Sequence, residues 1–261
     1  MTGIGPNGFG EAARRAGWLA AVLLLVVPAV LPASEADTDV RAIPQFSAVY
    51  ELERNGMRAA ELTRTLSCSA GRCEFRSVGQ TVGFADLLVR GRLREITRFR
   101  FSDEGIRPRD YTYRQRARGN NDENVRLFFN PDTGRVSSRG DDEWEKHIDG
   151  EVMDELLSQL RLMLAVRAGE DTMSFSVIEG DGDREAYRFS VAGREQVATD
   201  AGRFEAVRVE HIGDKDERKT TMWFATELEY IPLVVRQENE DDANYTATLT
   251  RIEEDPELYR P

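Results

Sequence analysis

Cysteine and histidine are scarce in this 261-residue chain, two of each, which argues against a Cys/His zinc site with four protein ligands. Positive charge is also in short supply: 35 Lys and Arg against 47 Asp and Glu leave a formal net charge of -12. That balance excludes a general nucleic-acid binder, because neutralising phosphates takes a Lys/Arg surplus. A charged fraction of 31% and a mean hydropathy of -0.50 exclude a multi-span membrane protein. At 40% the hydrophobic fraction is nonetheless too high for a disordered chain. Familiar catalytic patterns are missing as well: there is no G-x-S-x-G, no H-E-x-x-H, no phosphate-binding Gly-rich loop and no EF-hand loop. The composition is that of an acidic globular chain with no assignable catalytic, cofactor-binding or metal-ligating set.

What is present begins with an address. Arg14 and Arg15 precede an apolar run from Ala16 to Leu31, and small residues follow at Ala33, Ser34 and Ala36. A basic segment, a short apolar core and a small-residue exit are the parts of a secretory signal peptide. An uncleaved anchor fits less well, because the run falls short of the ~20 apolar residues that span a bilayer and Pro28 interrupts it. The expectation is a leader over residues 1–36, a mature chain starting near Ser34 or Asp37, and no transmembrane span after cleavage. The product is exported, and periplasmic if the source is Gram-negative. Two Arg and two Glu lie in residues 1–36, so the mature part keeps the charge of -12.

Export changes how the cysteines are read. Cys68 and Cys73 flank a short loop containing Gly71, between two extended segments. In an oxidising compartment that spacing predicts a disulfide across a hairpin. A redox pair is the alternative, but catalytic thiols favour C-x-x-C at a helix N-terminus.

Along the mature part the hydrophobic period is two. Phe46, Ala48, Tyr50 and Leu52 alternate with more polar neighbours before a turn at Asn55-Gly56. Met57 to Cys68 and Cys73 to Val78 continue as a hairpin. A longer segment, Gly83 to Phe101, starts with Phe84, Leu87, Leu88 and Val89 and ends in strict alternation over Thr97 to Phe101. Further strands are expected around Tyr111 and Tyr113 and around Val125, Leu127 and Phe129, and after Gly169 strands resume up to Tyr245, Ala247 and Leu249. The period changes once. From Glu151 to Arg167, Met153, Leu156, Leu157, Leu160, Met163 and Leu164 recur at helical spacing, with acids early and arginines late. The fold class expected is mainly β, α+β by count: a large curved antiparallel sheet or open β-barrel with one helix packed on it near 151–167. Residues 37–261 are expected to form a single β-rich domain with a short C-terminal tail.

Several motifs of the second half, taken in order, resemble a known family. They are Leu156 to Leu162, Phe189 to Gly193, Thr199 to Ala206, Met222-Trp223-Phe224-Ala225 and Tyr230-Ile231-Pro232-Leu233. In the first half Phe46 to Tyr50 and Pro108 to Tyr113 look like the same family's opening. Together they resemble the bacterial exported family called domain of unknown function 3108, over roughly Phe46 to Leu249. The resemblance implies an envelope protein on a mostly β scaffold, and it supplies no catalytic residue. Independently of it, Gly202 is expected to provide the positive torsion of a hairpin turn and Pro232 to start a strand or lie on an edge.

Two candidate sites remain, beside weaker ones. His147 lies near acids in Trp144 to Asp149, and His211 shares a strand face with Val207 and Val209; both read more simply as a surface and a structural histidine. Acidic clusters at Asp181 to Asp183, Asp214 to Glu217 and Glu238 to Asp242 read as solvated tips rather than calcium loops. Between Arg90 and Arg118, however, ten arginines meet only Glu95, Asp103, Glu104 and Asp110, a surplus of six positive charges. If these segments pair, Arg98 and Arg100 share one face, as do Arg114, Arg116 and Arg118, leaving Phe99, Phe101, Tyr111 and Tyr113 on the opposite faces. The arginines form a docking face for an anionic partner, or neighbouring acidic strands neutralise them. The aromatics, with Trp223, either wall an apolar groove for a lipid-like ligand or partner segment, or simply pack. Three function classes follow: a non-enzymatic envelope module with that groove, an interaction protein of an envelope assembly using the arginine face, and an unrecognised enzyme. No cofactor is implied, and the expected partner is a lipid-like ligand or an envelope protein.

Overall fold

The computed structural model describes residues 44–83, 91–102, 105–116, 122–212, 218–239 and 243–253. Chain contacts separate a unit Met1–Thr38, none of it described, from a unit Asp39–Pro261 that holds every described element. The leader, the apolar stretch Phe84 to Val89, Arg118 and the cluster Asp214 to Glu217 therefore lie outside the described residues.

The alternation of apolar and polar residues becomes eight strands before the helix: β1 (Phe46–Arg54), β2 (Met57–Ser69), β3 (Arg72–Thr81), β4 (Arg92–Ser102), β5 (Gly105–Arg116), β6 (Glu123–Asn130), β7 (Arg135–Gly140) and β8 (Trp144–His147). After α1 (Glu155–Arg167) come β9 (Thr172–Ile178), β10 (Arg184–Thr199), β11 (Gly202–His211), β12 (Arg218–Ala225), β13 (Pro232–Asn239) and β14 (Tyr245–Glu253). In β3 the pleat is plain: Cys73, Phe75 and Ser77 are buried while Arg72, Arg76 and Val78 are exposed. Asn55 and Gly56 both have positive φ, 51° and 74°, the two-residue turn that matches the twist of a tight hairpin. Ala70 and Gly71 repeat it at φ 49° and 70°, directly inside the bonded pair Cys68–Cys73, whose Cα atoms are 4.1 Å apart. Gly202 opens β11 at φ 140° and Pro232 is the first residue of β13.

All fourteen strands form one antiparallel sheet in the order β8-β7-β6-β5-β4-β3-β2-β1-β14-β13-β12-β11-β10-β9. The fold is mainly β, with a single α-helix among the described residues. The first and last strands lie side by side at its centre, Tyr50 opposite Leu249, so each half of the chain forms one arm. At the free ends of the two arms, β8 meets the turn between β9 and β10 through side chains, and Met153 beyond β8 adds an isolated parallel bridge to Val177 of β9. Trp144 Nε1 donates to the Gly180 carbonyl (2.8 Å), Lys146 Nζ to the Gly182 carbonyl (2.6 Å) and Arg184 to the Asp149 carbonyl (3.0 Å). A Cβ at residue 182 would come within 2.8 Å of the Trp144 ring and within 2.7 Å of Lys146 Nζ, so the close approach needs a glycine there.

The helix differs from its expected form in two ways. It starts at Glu155 rather than Glu151, because Asp154 caps it: Oδ1 accepts from Leu157 N at 2.9 Å, while Met153 bridges in parallel to Val177. Burial also extends round the whole helix. Leu156, Leu157, Leu160, Leu162, Met163, Ala165 and Val166 are all buried, whereas Leu164, expected on the buried stripe, is only partly so. A helix apolar on every side belongs inside a fold, and α1 packs against β9 and β4 within the curved sheet.

Candidate functional site

The inner face of β4 and β5 builds the interior around the start of α1. Thr97 Oγ1 donates to Asp154 Oδ2 at 2.8 Å, tying β4 to the helix cap, and Tyr111 OH donates to Glu95 Oε1 at 2.9 Å. Burial pushes Asp154 up to about 7, against the Leu157 and Thr97 hydrogen bonds and with help from the charge of Glu95. Burial likewise raises Glu95, opposed by the Tyr111 hydrogen bond and by Arg64. Tyr111 is held far above its ordinary range by burial and by the neighbouring carboxylates. These groups sit inside packed structure, and among the described residues no group of three or more His, Cys, Asp or Glu is placed to hold a metal.

That packing bears on the expected groove. Phe99 (1% exposed) and Tyr111 (4%) belong to the core, and Phe101 and Tyr113 pack partly buried against it. Trp223 lies on the face of β12 opposite Phe224, where Nε1 donates to Glu195 at 2.6 Å and the Arg236 guanidinium sits 5.4 Å from the ring centre. Five strands separate β4 from β12 in the sheet. Phe99, Phe101, Tyr111, Tyr113 and Trp223 therefore do not line one groove: strand parity puts four of them inward with α1 and the fifth outward. A cleft of about 450 Å³ does open between the β1–β14 pair and the β10–β11 turn, but Glu51, Glu53, Asp200 and three threonines make its lining polar.

The outer face of β3 to β7 is different in kind. Arg98 and Arg100 of β4 and Arg114 and Arg116 of β5 all point outward and are exposed. The register sets arginine directly opposite arginine five times: Arg72 with Arg100, Arg100 with Arg107, Arg94 with Arg114, Arg92 with Arg116, and Arg126 with Arg139. Arg107 reaches Asp132 of the β6–β7 turn at 3.4 Å and Arg135 of β7 reaches Glu145 of β8 at 2.9 Å. Counting these with Arg76 and Arg98, twelve exposed arginines share this face, whose own strands carry two outward described acids, Glu74 and Asp110. Both acids are already engaged. Glu74 accepts from Arg76 and, at 2.9 Å, from Arg98, and Asp110 pairs with Arg98 at 2.8 Å. Although burial acts to raise Glu74, the two arginines outweigh it and hold the carboxyl below its ordinary value. Arg72, Arg92, Arg94, Arg100, Arg116 and Arg126 make no ion pair among the described residues. Sequence reasoning found β4 and β5 of this face but missed Arg72, Arg76, Arg126, Arg135 and Arg139, which only the register brings alongside.

Two further candidates resolve simply. His147 faces Asp149 at 3.3 Å with both side chains largely exposed, and His211 packs its ring near Tyr187 and Phe189. Asp181 closes its own turn by accepting from Asp183 N at 2.9 Å, the ordinary behaviour of an aspartate at a hairpin tip.

Residues 46–250 match the family described as "Protein of unknown function (DUF3108)". The chain belongs to this family. No curated protein matches it. Among solved structures it is similar to a beta-barrel-like protein of the domain of unknown function DUF1849 from Brucella abortus, at 13% identity and a TM-score of 0.51, covering 80% of this chain and 97% of that one. That likeness concerns the fold, and it agrees with a sheet rolled around a helix. A protein of Parabacteroides distasonis named a "putative lipoprotein" aligns over 81% of this chain and 96% of its own at 9% identity, with a TM-score of 0.32. No helix among the described residues is long and apolar enough to cross a membrane.

Proposed function

We propose that this DUF3108 protein is a non-enzymatic interaction module of the bacterial envelope, exported by a leader over residues 1–36, whose domain from residue 37 onward docks on an anionic partner through the outer face of β3 to β7. The observation that carries this reading is the run of five cross-strand arginine pairs. Like charges set directly opposite each other destabilise a sheet, so internal charge balance does not account for them. A partner rich in anionic groups relieves the repulsion and gains from it. Among the described residues Phe99 and Tyr111 are packed in the core and the cleft beside β1 and β14 has a polar lining, so the lipid-groove reading has no comparable observation to support it.

The test is co-sedimentation with isolated cell envelopes at low and high salt, comparing the parent with an Arg94→Ser/Arg100→Ser/Arg114→Ser variant. All three residues are exposed, so folding should be nearly unchanged. Binding should weaken by about tenfold or more in the variant and fall with salt in the parent. Binding indifferent to both salt and the three substitutions rejects the docking face.

A further inference from the structure

The arginine face is not purely polar. Phe128 is 47% exposed and Val78 is 40% exposed, and the register places both among the arginines. Phe128 lies opposite Asp110, next to Arg98, and shares its strand face with Arg126; Val78 lies opposite Arg94, which lies opposite Arg114. The inward neighbour Leu127 is fully buried, so strand parity leaves the Phe128 ring no core to enter. Hydration disfavours an isolated aromatic ring on a sheet that otherwise presents guanidinium groups. A surface that offers phosphates to the arginines and an apolar layer just beneath them suits both kinds of side chain at once.

We infer that the anionic partner is a phospholipid leaflet, with the arginines on headgroup phosphates and Phe128 and Val78 inserted at the headgroup–acyl boundary. This rests on the docking reading above and names its occupant. A soluble anionic polymer or an acidic protein would satisfy the arginines equally well, but nothing in a polymer of phosphates or sugar acids would take up Phe128 and Val78. Long arginine side chains also suit this role, since their apolar stems can lie in the boundary while the charged heads stay with the phosphates.

The experiment measures binding of the exported protein to vesicles of phosphatidylglycerol with phosphatidylcholine, to vesicles of phosphatidylcholine alone, and to polyphosphate. Three proteins are compared: the parent, Phe128→Ser/Val78→Ser, and Arg94→Ser/Arg100→Ser/Arg114→Ser. Both altered positions of the apolar variant are exposed, and unchanged thermal melting confirms that it folds. The expected result is that the parent prefers the anionic vesicles, that the apolar variant loses about tenfold in vesicle affinity while keeping its polyphosphate affinity, and that the arginine variant loses both. A Phe128→Trp variant should in addition show fluorescence quenched by brominated acyl chains beyond the quenching of the parent. Polyphosphate binding without vesicle binding, or vesicle binding unaffected by Phe128→Ser/Val78→Ser, overturns the leaflet but leaves the docking face standing. Failure to bind either probe overturns the leaflet, and arginine-independent binding to both removes the docking face and the leaflet together.

Discussion

The two arms of the sheet surround their arginines differently, although Arg98, Arg107 and Arg135 of the first arm also reach carboxylates. On β10 and β11, Arg208 sits 3.7 Å from both Glu195 and Glu210, and Arg194 lies 4.0 Å from Glu205, so these two cations have carboxylates within reach. On β3 to β7 the same residue type faces itself across the strands, in the pairs Arg92–Arg116, Arg94–Arg114 and Arg126–Arg139. Both arms are antiparallel, both are solvated on this side, and both hang on the same helix. What separates them is register. A balanced face of exposed ion pairs contributes little to stability and less to recognition, while an unbalanced face carries a standing repulsion that an external anion relieves.

The comparison presumes a common interior, and the most drastic way to break it is to disrupt that interior. Leu160 is 1% exposed in the packing around α1. Leu160→Asp places a charge where nothing can pair it, and a loss on the order of 4 kcal/mol or more is expected, enough to abolish soluble expression. A variant with an unchanged melting temperature would show that α1 is not the shared support of the two arms.

A smaller effect separates how the arms hold the helix. The β4 side holds it through Thr97 and Asp154, whereas the β10 side offers the longer contact of Tyr187 OH to Glu155 at 3.5 Å. Folding raises Asp154 from 3.8 to about 7, so the folded state binds the proton more tightly than the unfolded one. Its contribution is fully present below pH 3.8 and is lost as pH rises through about 7. Urea midpoints should therefore fall between pH ~4 and pH ~8, by on the order of a few kcal/mol in stability, and Asp154→Asn should flatten that slope. A slope unchanged in Asp154→Asn would assign the dependence to other carboxyls, Glu95 first, since burial raises it in the same direction.

The smallest effect bears most directly on the two faces. Arg100→Glu, between Arg72 and Arg107, should raise stability by up to ~1 kcal/mol by turning two repulsions into attractions. Arg208→Glu, beside Glu195 and Glu210, should lower it by a similar amount. Equal signs from thermal melting would mean that neighbouring charge does not distinguish the arms.

Much of this was legible in the residues. The alternation in Phe46 to Leu52 and in Thr97 to Phe101, the Asn55-Gly56 turn and the hairpin spacing of Cys68 and Cys73 are local signals, and each appears where local stereochemistry places it. β7 and β8 were not legible: Ser137, Ser138 and Arg139 carry no apolar alternation, and pairing with β6 makes them a strand. The depth of Leu162 and Ala165 was hidden too, because a stripe of leucines along one side of a helix says nothing about what covers the other side.

The sequence by itself determined the outward set and the inward set on β4 and β5, because a side-chain period of two is a property of the extended backbone. It also determined the acidic balance of the chain and the apolar run near its start, which are properties of composition and order. Tertiary structure alone decided the rest. Whether Arg100 meets a carboxylate or another arginine depends on how far β3 and β5 slide against β4, and a shift of one residue would turn the partners to the other face. Whether Phe99 and Tyr111 wall a groove or fill a core depends on a helix far along the chain, capped by Asp154 and drawn inside the sheet. Those outcomes come from contacts between segments distant in sequence, which no local pattern encodes.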